Sequence, residues 1–198
     1  PSFSNEVSQS LPTAVTLATK DKRDFENISK LIPNKEFRIY YSNDLIGTQI
    51  GGALKNIYAI AAGIAEGLNL GENAKSALIS RSFAEMARYA KKFKADKNTL
   101  FGLSGLGDLI LTCSSKNSRN TQFGIKLASS KYDNFLDLLK SQEVTEGYYT
   151  VKAVYNISQK KNIDMPIMES VYNILYKQHD LKEELSNLLS RPITEEKI

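Results

Sequence analysis

The apolar positions of the chain change period once, near residue 47. Ahead of that point, Thr13-Ala14-Val15-Thr16-Leu17-Ala18-Thr19 and Phe37-Arg38-Ile39-Tyr40-Tyr41 are short β-branched and aromatic runs. Between them Phe25, Ile28, Leu31 and Ile32 recur at helical spacing until Pro33. The order predicts strand, helix, strand. Such a β-α-β unit is too small to stand alone, which predicts the last strands of a larger sheet. Everything after Asp44 reads as helix. The stretch from Gly51 to Gly71, GGALKNIYAIAAGIAEGLNLG, predicts a helix buried on nearly all sides. In segment 72–93, Ile79, Phe83, Met86, Ala90 and Phe93 form one stripe, while Arg81, Glu85, Arg88 and Lys92 fall opposite, as in a solvated amphipathic helix. Further helical patterns cover 118–128, 133–141, 146–160, 166–178 and 181–190, punctuated near Gly147, at Pro166 and at Asp180. The expected organisation is a β-α-β remnant over 1–47 followed by a helical domain over 48–198.

Composition narrows the function without naming it. Hydrophobic residues make up 41% and charged residues 24% of the 198, an ordinary globular balance. The net charge of +4 is spread among acids, and the densest basic run, Lys91-Lys92-Phe93-Lys94, ends at Asp96, so no nucleic-acid partner is expected. A mildly basic surface suits a small phosphorylated molecule equally well. Cys113 and His179 are each the only residue of their type, which argues against a metal site and against Ser-His or Cys-His catalysis. A single cysteine also points to a reducing cytoplasm. No basic-then-apolar leader opens the sequence, and the run at 45–65 carries Lys55, so no membrane-spanning segment is expected.

Lys55 is the only formally charged residue between Asp44 and Glu66. An ammonium among apolar neighbours snorkels to water, pairs with an anion, or takes part in chemistry. The Gly51-Gly52 pair before it allows close approach of a backbone or a ligand. Asp108 follows a glycine-rich turn, Gly105-Leu106-Gly107, where an aspartate can cap the next helix. Ser118-Arg119-Asn120 sets a planar fork of donors at a helix start, a place that favours anions, although a cap beside a surface arginine has the same pattern. Thr145-Glu146-Gly147 likewise reads as ordinary capping. His179 falls at a helix end and is expected to be exposed. Tyr148, Tyr149, Tyr155, Tyr172 and Tyr176 sit at helical spacing and read as core or interface. No G-x-G-x-x-G occurs among the eleven glycines; Gly102, Gly105 and Gly107 have the reverse order.

Several long blocks carry a resemblance, and they occur in a consistent order. GGALKN with AIAAGIAEGLNLG, GLSGLGDLILTC at 102–113, NSRNTQFG at 117–124, EVTEG at 143–147 and MPIMESVYNILY at 165–176 resemble the bacterial type of NAD(P)-dependent glycerol-3-phosphate dehydrogenases. Pro1-Ser2-Phe3 is similar to the end of that family's Gly-Pro-Ser-Phe block. The resemblance implies a mainly α, multi-helical substrate domain of the 6-phosphogluconate-dehydrogenase-like C-terminal type, preceded by the end of a Rossmann domain. It implies oxidoreduction between sn-glycerol 3-phosphate and dihydroxyacetone phosphate, a step feeding glycerophospholipid synthesis. Lys55 and Asp108 are then the catalytic residues, and Ser2, Lys55, Asp108, Ser118, Arg119 and Asn120 the substrate contacts. Ser4, Arg119, Val144 and Glu146 are the implied contacts to NAD or NADP. Ser4 stands where the family commonly has alanine. The main nucleotide-binding half would lie upstream, so this chain alone is expected to be inactive. A homodimer stays open. Two other readings remain at this stage: a related dehydrogenase for another hydroxy acid, and a non-catalytic helical module that binds a partner or an anion.

Overall fold

The computed structural model describes residues 1–32, 35–129, 145–192 and 195. After a short helix α1 (Ser4–Ser8), strand β1 (Thr13–Ala18) leads through α2 (Lys22–Lys30) to β2 (Phe37–Ser42). The two strands pair in parallel, Thr13 opposite Phe37 through Ala18 opposite Ser42. Asp21 starts α2 by accepting a hydrogen bond from the Arg23 amide at 2.9 Å. This is the strand-helix-strand order the sequence predicts. Among the described residues ahead of Gly47 none is buried.

The rest of the described chain is helical and built on α3 (Leu45–Gly67). Asp44 organises its start. One carboxylate oxygen accepts from the Gly47 amide at 2.9 Å as an N-cap, and the other accepts from the Asp96 amide at 2.8 Å. Around α3 pack α4 (Gly71–Lys92), α5 (Lys97–Phe101), a π-helical turn (Leu103–Gly107), α6 (Asp108–Ser114), α7 (Arg119–Ala128), α8 (Glu146–Lys161), α9 (Pro166–Lys177) and α10 (Leu181–Leu189). Every residue from Ile57 to Ala65 is buried, as the apolar run predicts. Hydrophobic burial on this scale contributes about 1.5–3 kcal/mol for each large side chain such as Leu54, Ile57 or Ile60. The first half of α3 differs: Ala53 is exposed, and one face there stays open.

Glycines set how closely the neighbours approach. A Cβ on Gly63 would lie 2.1 Å from the Thr121 carbonyl oxygen, and one on Gly124 would lie 2.2 Å from that of Ile60. Helices α3 and α7 therefore cross backbone to backbone, and the start of α7 falls beside the Lys55-Asn56 turn of α3. Gly51 makes the same allowance for the π-helical turn, with the Ser104 carbonyl oxygen 2.1 Å from its absent Cβ.

Three expectations change on contact with the fold. Segment 82–86 of α4 is buried throughout, so the solvated face stops short of Glu85, which is only 1% exposed. The reason is tertiary: the first turn of α9 ends on that carboxylate, with the Ile167 amide donating at 2.6 Å and the Met168 amide at 3.1 Å. Asp108 does not cap α6. Gly107 holds the cap position and the Asp108 side chain points elsewhere. Thr145 occupies the cap position of α8 but makes no capping bond, since Asn120 from α7 takes the Gly147 amide at 3.0 Å. The helix expected over 133–141 lies outside the described residues.

Candidate active site

The close packing of the π-helical turn on Gly51 delivers the first residue of α6 to the open face of α3. Lys55 Nζ donates to Asp108 Oδ2 at 2.5 Å, with side chains 23% and 14% exposed. A lysine that reads as isolated in the sequence thus has an anionic partner 53 residues away. A charge-assisted bond of this kind fixes the position of the amine while leaving part of it open to a ligand. Thr112, one turn after Asp108, donates from Oγ1 to the Asp108 carbonyl at 2.6 Å and steadies that turn.

A depression of about 540 Å³ opens over this pair. Its size is within the roughly 300–1,000 Å³ usual for small-molecule sites. Ser2, Ser4, Lys55, Asp108, Ser118, Arg119 and Asn120 all line it, so seven of the nine residues proposed from the sequence come together from four separate stretches. Glu146 stands next to them, its Oε1 accepting from Arg119 Nη2. Val144 lies outside the described residues. The lining adds Phe3, Asn5, Asn56, Thr112 and Asn117, which the sequence reading does not single out. The signal for Asn56 and Thr112 was present, since one follows Lys55 directly and the other is four residues beyond Asp108.

The three members of Ser118-Arg119-Asn120 are differently placed. Ser118 is 3% exposed and caps α7, its Oγ accepting from the Thr121 amide at 3.2 Å. Asn120 is 4% exposed and braced at both ends: Oδ1 accepts from Gly147, and Nδ2 donates to Asn56 Oδ1 at 3.1 Å. One N–H of its amide is left for a ligand. Arg119 is largely exposed and keeps most of its fork of donors. With the first-turn amides of α7, these groups make a surface suited to an anion.

The remaining sequence candidates lie elsewhere. His179 is exposed, and its Nδ1 is 2.7 Å from Oε1 of the buried Glu184. Tyr155, Tyr172, Tyr176 and Tyr148 form a stacked series between α8 and α9, with the first pair of rings 3.7 Å apart. Cys113 is buried, and burial pushes its thiol up to about 12, so it is not a nucleophile near neutral pH. A second depression, bounded by Glu66, Lys75 and Lys116, holds cations already matched by Glu66 at 2.7 and 3.8 Å. Among the described residues no group of three or more His, Cys, Asp or Glu side chains could hold a metal ion, and no helix is long and apolar enough to cross a membrane.

A family model described as the C-terminus of NAD-dependent glycerol-3-phosphate dehydrogenase matches residues 44–186. The chain belongs to that family. Its match begins at Asp44, the residue that caps α3, and takes in α3, α6 and α7 of the site but not Ser2–Asn5. Glycerol-3-phosphate dehydrogenases [NAD(P)+] of Solidesulfovibrio magneticus and Francisella tularensis are 46% and 44% identical to it over 197 residues. In both comparisons 99% of this chain is covered but only 59% of the relative. The chain thus spans about three fifths of the length of those proteins. The crystal structure of glycerol-3-phosphate dehydrogenase from Coxiella burnetii superposes with a TM-score of 0.91 at 38% identity, covering 96% of this chain and 58% of that one. The Plasmodium falciparum enzyme gives 0.85 at 27% identity, with 98% and 56% covered.

Proposed function

We propose that the chain is the substrate-holding, C-terminal part of an NAD(P)-dependent glycerol-3-phosphate dehydrogenase, interconverting sn-glycerol 3-phosphate and dihydroxyacetone phosphate. The observation that carries this reading is the Lys55–Asp108 pair, 2.5 Å apart, in the same depression as the exposed guanidinium of Arg119. Oxidation of the C2 alcohol removes a hydride from carbon and a proton from oxygen. Lys55 Nζ is the group that takes the proton, and in the reverse direction returns it to the carbonyl oxygen. Asp108 orients that amine. Arg119, the Ser118 hydroxyl, the free N–H of Asn120 and the α7 amides hold the phosphate, with Ser2 beside them. Binding energy at the phosphate end fixes the distance from C2 to Lys55.

NAD or NADP would supply the hydride acceptor. The donor set fits one edge of such a dinucleotide: an exposed guanidinium suits its phosphates, and Glu146 can accept from ribose hydroxyls. Ser4 and Val144 complete the proposed cofactor contacts. The sequence carries no G-x-G-x-x-G loop, so the larger part of the binding surface belongs to an upstream half. On the same reading the chain divides near residue 47, works in the cytoplasm, and is to be tested for homodimer formation by light scattering.

The decisive test fuses this chain behind the part of the Solidesulfovibrio magneticus relative that it does not cover. The fusion should reduce dihydroxyacetone phosphate with NADH or NADPH and leave unphosphorylated dihydroxyacetone nearly untouched. Lys55→Ala should lower turnover by about 10²–10⁴-fold. Near-normal turnover by that variant rejects the assignment. Equal activity on the unphosphorylated ketone rejects the phosphate site, and turnover by the 198-residue chain alone rejects the need for an upstream half.

A further inference from the structure

We infer that Glu146 is a built-in rival of the substrate phosphate for the guanidinium of Arg119, and so sets how tightly the site holds an anion. The inference rests on the reading of this depression as a phosphate site. Its two cations each already have a carboxylate: Lys55 has Asp108, and Arg119 has Glu146. The two pairs are not alike. Asp108 lines the depression, whereas Glu146 does not. A ligand can therefore share Lys55 with Asp108, but a phosphate on Arg119 has to displace or repel the Glu146 carboxylate already paired with it.

The carboxylate is also held where it competes. Gly147 is buried against α3, where a Cβ would lie 2.6 Å from the Asn56 carbonyl oxygen, and its amide is tied to Asn120. The first residue of α8 is consequently fixed one position from that anchor, within reach of Arg119. Ser118 and Asn120 are spent largely on capping and bracing, which leaves Arg119 as the member of the triplet whose donors decide anion affinity. An exposed ion pair is weak enough for a dianion to displace.

The test titrates inorganic phosphate into the 198-residue chain, wild type and Glu146→Gln, and follows the backbone amides of Arg119 and Asn120 by NMR at low and high salt. The variant should bind about two- to five-fold more tightly at low salt, the range an exposed pair allows. The gap should close at high salt. Glu146→Ala should give the same gain, with amide exchange in α8 unchanged, a pattern that a purely structural role would not produce. Equal or weaker phosphate binding by both variants overturns the rivalry and leaves the phosphate site standing. Absence of binding to wild type and variants alike overturns both.

Discussion

At the scale of single residues, the sequence made one side chain legible and misplaced another. Lys55 is conspicuous because nothing else between Asp44 and Glu66 is charged, and the fold gives it Asp108. Asp108→Asn keeps the shape but removes the charge from that bond. A charge-assisted hydrogen bond exceeds a neutral one by about 1–2 kcal/mol, so in the fusion enzyme turnover should fall by about 10-fold or more. Unchanged turnover would mean that Asp108 does not orient the amine. Glu85 was unreadable for the opposite reason: helical spacing puts it with Arg81 and Arg88, and only the arrival of α9 makes that face interior. Burial pushes its carboxyl up to about 7, against the opposing pull of the Ile167 and Met168 amides. Because the folded value lies above the ordinary 4.5, its contribution to stability is full below pH 4.5 and is lost as pH rises through 7. The whole swing is about 3 kcal/mol. Urea denaturation at pH 5 and pH 8 should show wild type losing stability relative to Glu85→Gln on going up; a constant difference between the two proteins contradicts this.

At the scale of elements, the glycine pair before Lys55 shows how far a pattern reaches. The sequence says that something comes close to Gly51-Gly52 but not what. Gly51 meets the backbone of the π-helical turn, while nothing lies within 4 Å of a Cβ built on Gly52. The turn itself was illegible, because G-x-x-G-x-G has no periodicity and its shape is imposed by packing of Gly105 on the Leu100 backbone. Helix positions, by contrast, came through well wherever Pro166, Asp180 or Ser118 marked a start, since capping is a local matter. Two alanine substitutions in α3 should then act with opposite signs. Gly52→Ala adds helix propensity at no steric cost and should stabilise by about 0.5–1 kcal/mol. Gly63→Ala forces α3 and α7 apart against the Thr121 carbonyl oxygen and should destabilise by about 1–3 kcal/mol. Thermal melts of the two variants moving in the same direction would contradict the close crossing that brings Arg119 to Lys55.

For the molecule as a whole, the contrast between its two parts has a measurable consequence. A parallel sheet is normally covered on both faces. Here, among the described residues, it has two strands and nothing before Gly47 is buried; Leu31 is 79% exposed and Tyr40 46%. The helical part has its own continuous core from Ile50 through Leu175 and can hold itself together. Stability is therefore expected to be uneven along the chain, with local opening cheap in β1, α2 and β2 and expensive in α3. In hydrogen exchange, the amides of Val15 to Ala18 and Ile39 to Ser42 should exchange at least a hundredfold faster than those of Ile57 to Ala62, since about 3 kcal/mol of buried apolar surface separates the two environments. Fusion to the part of the Solidesulfovibrio magneticus relative that this chain does not cover should slow the strands selectively, while α3 changes little, if that part packs on the sheet. If the strands of the 198-residue chain were already as protected as α3, the β-α-β unit would be self-sufficient and would need no larger sheet to complete it.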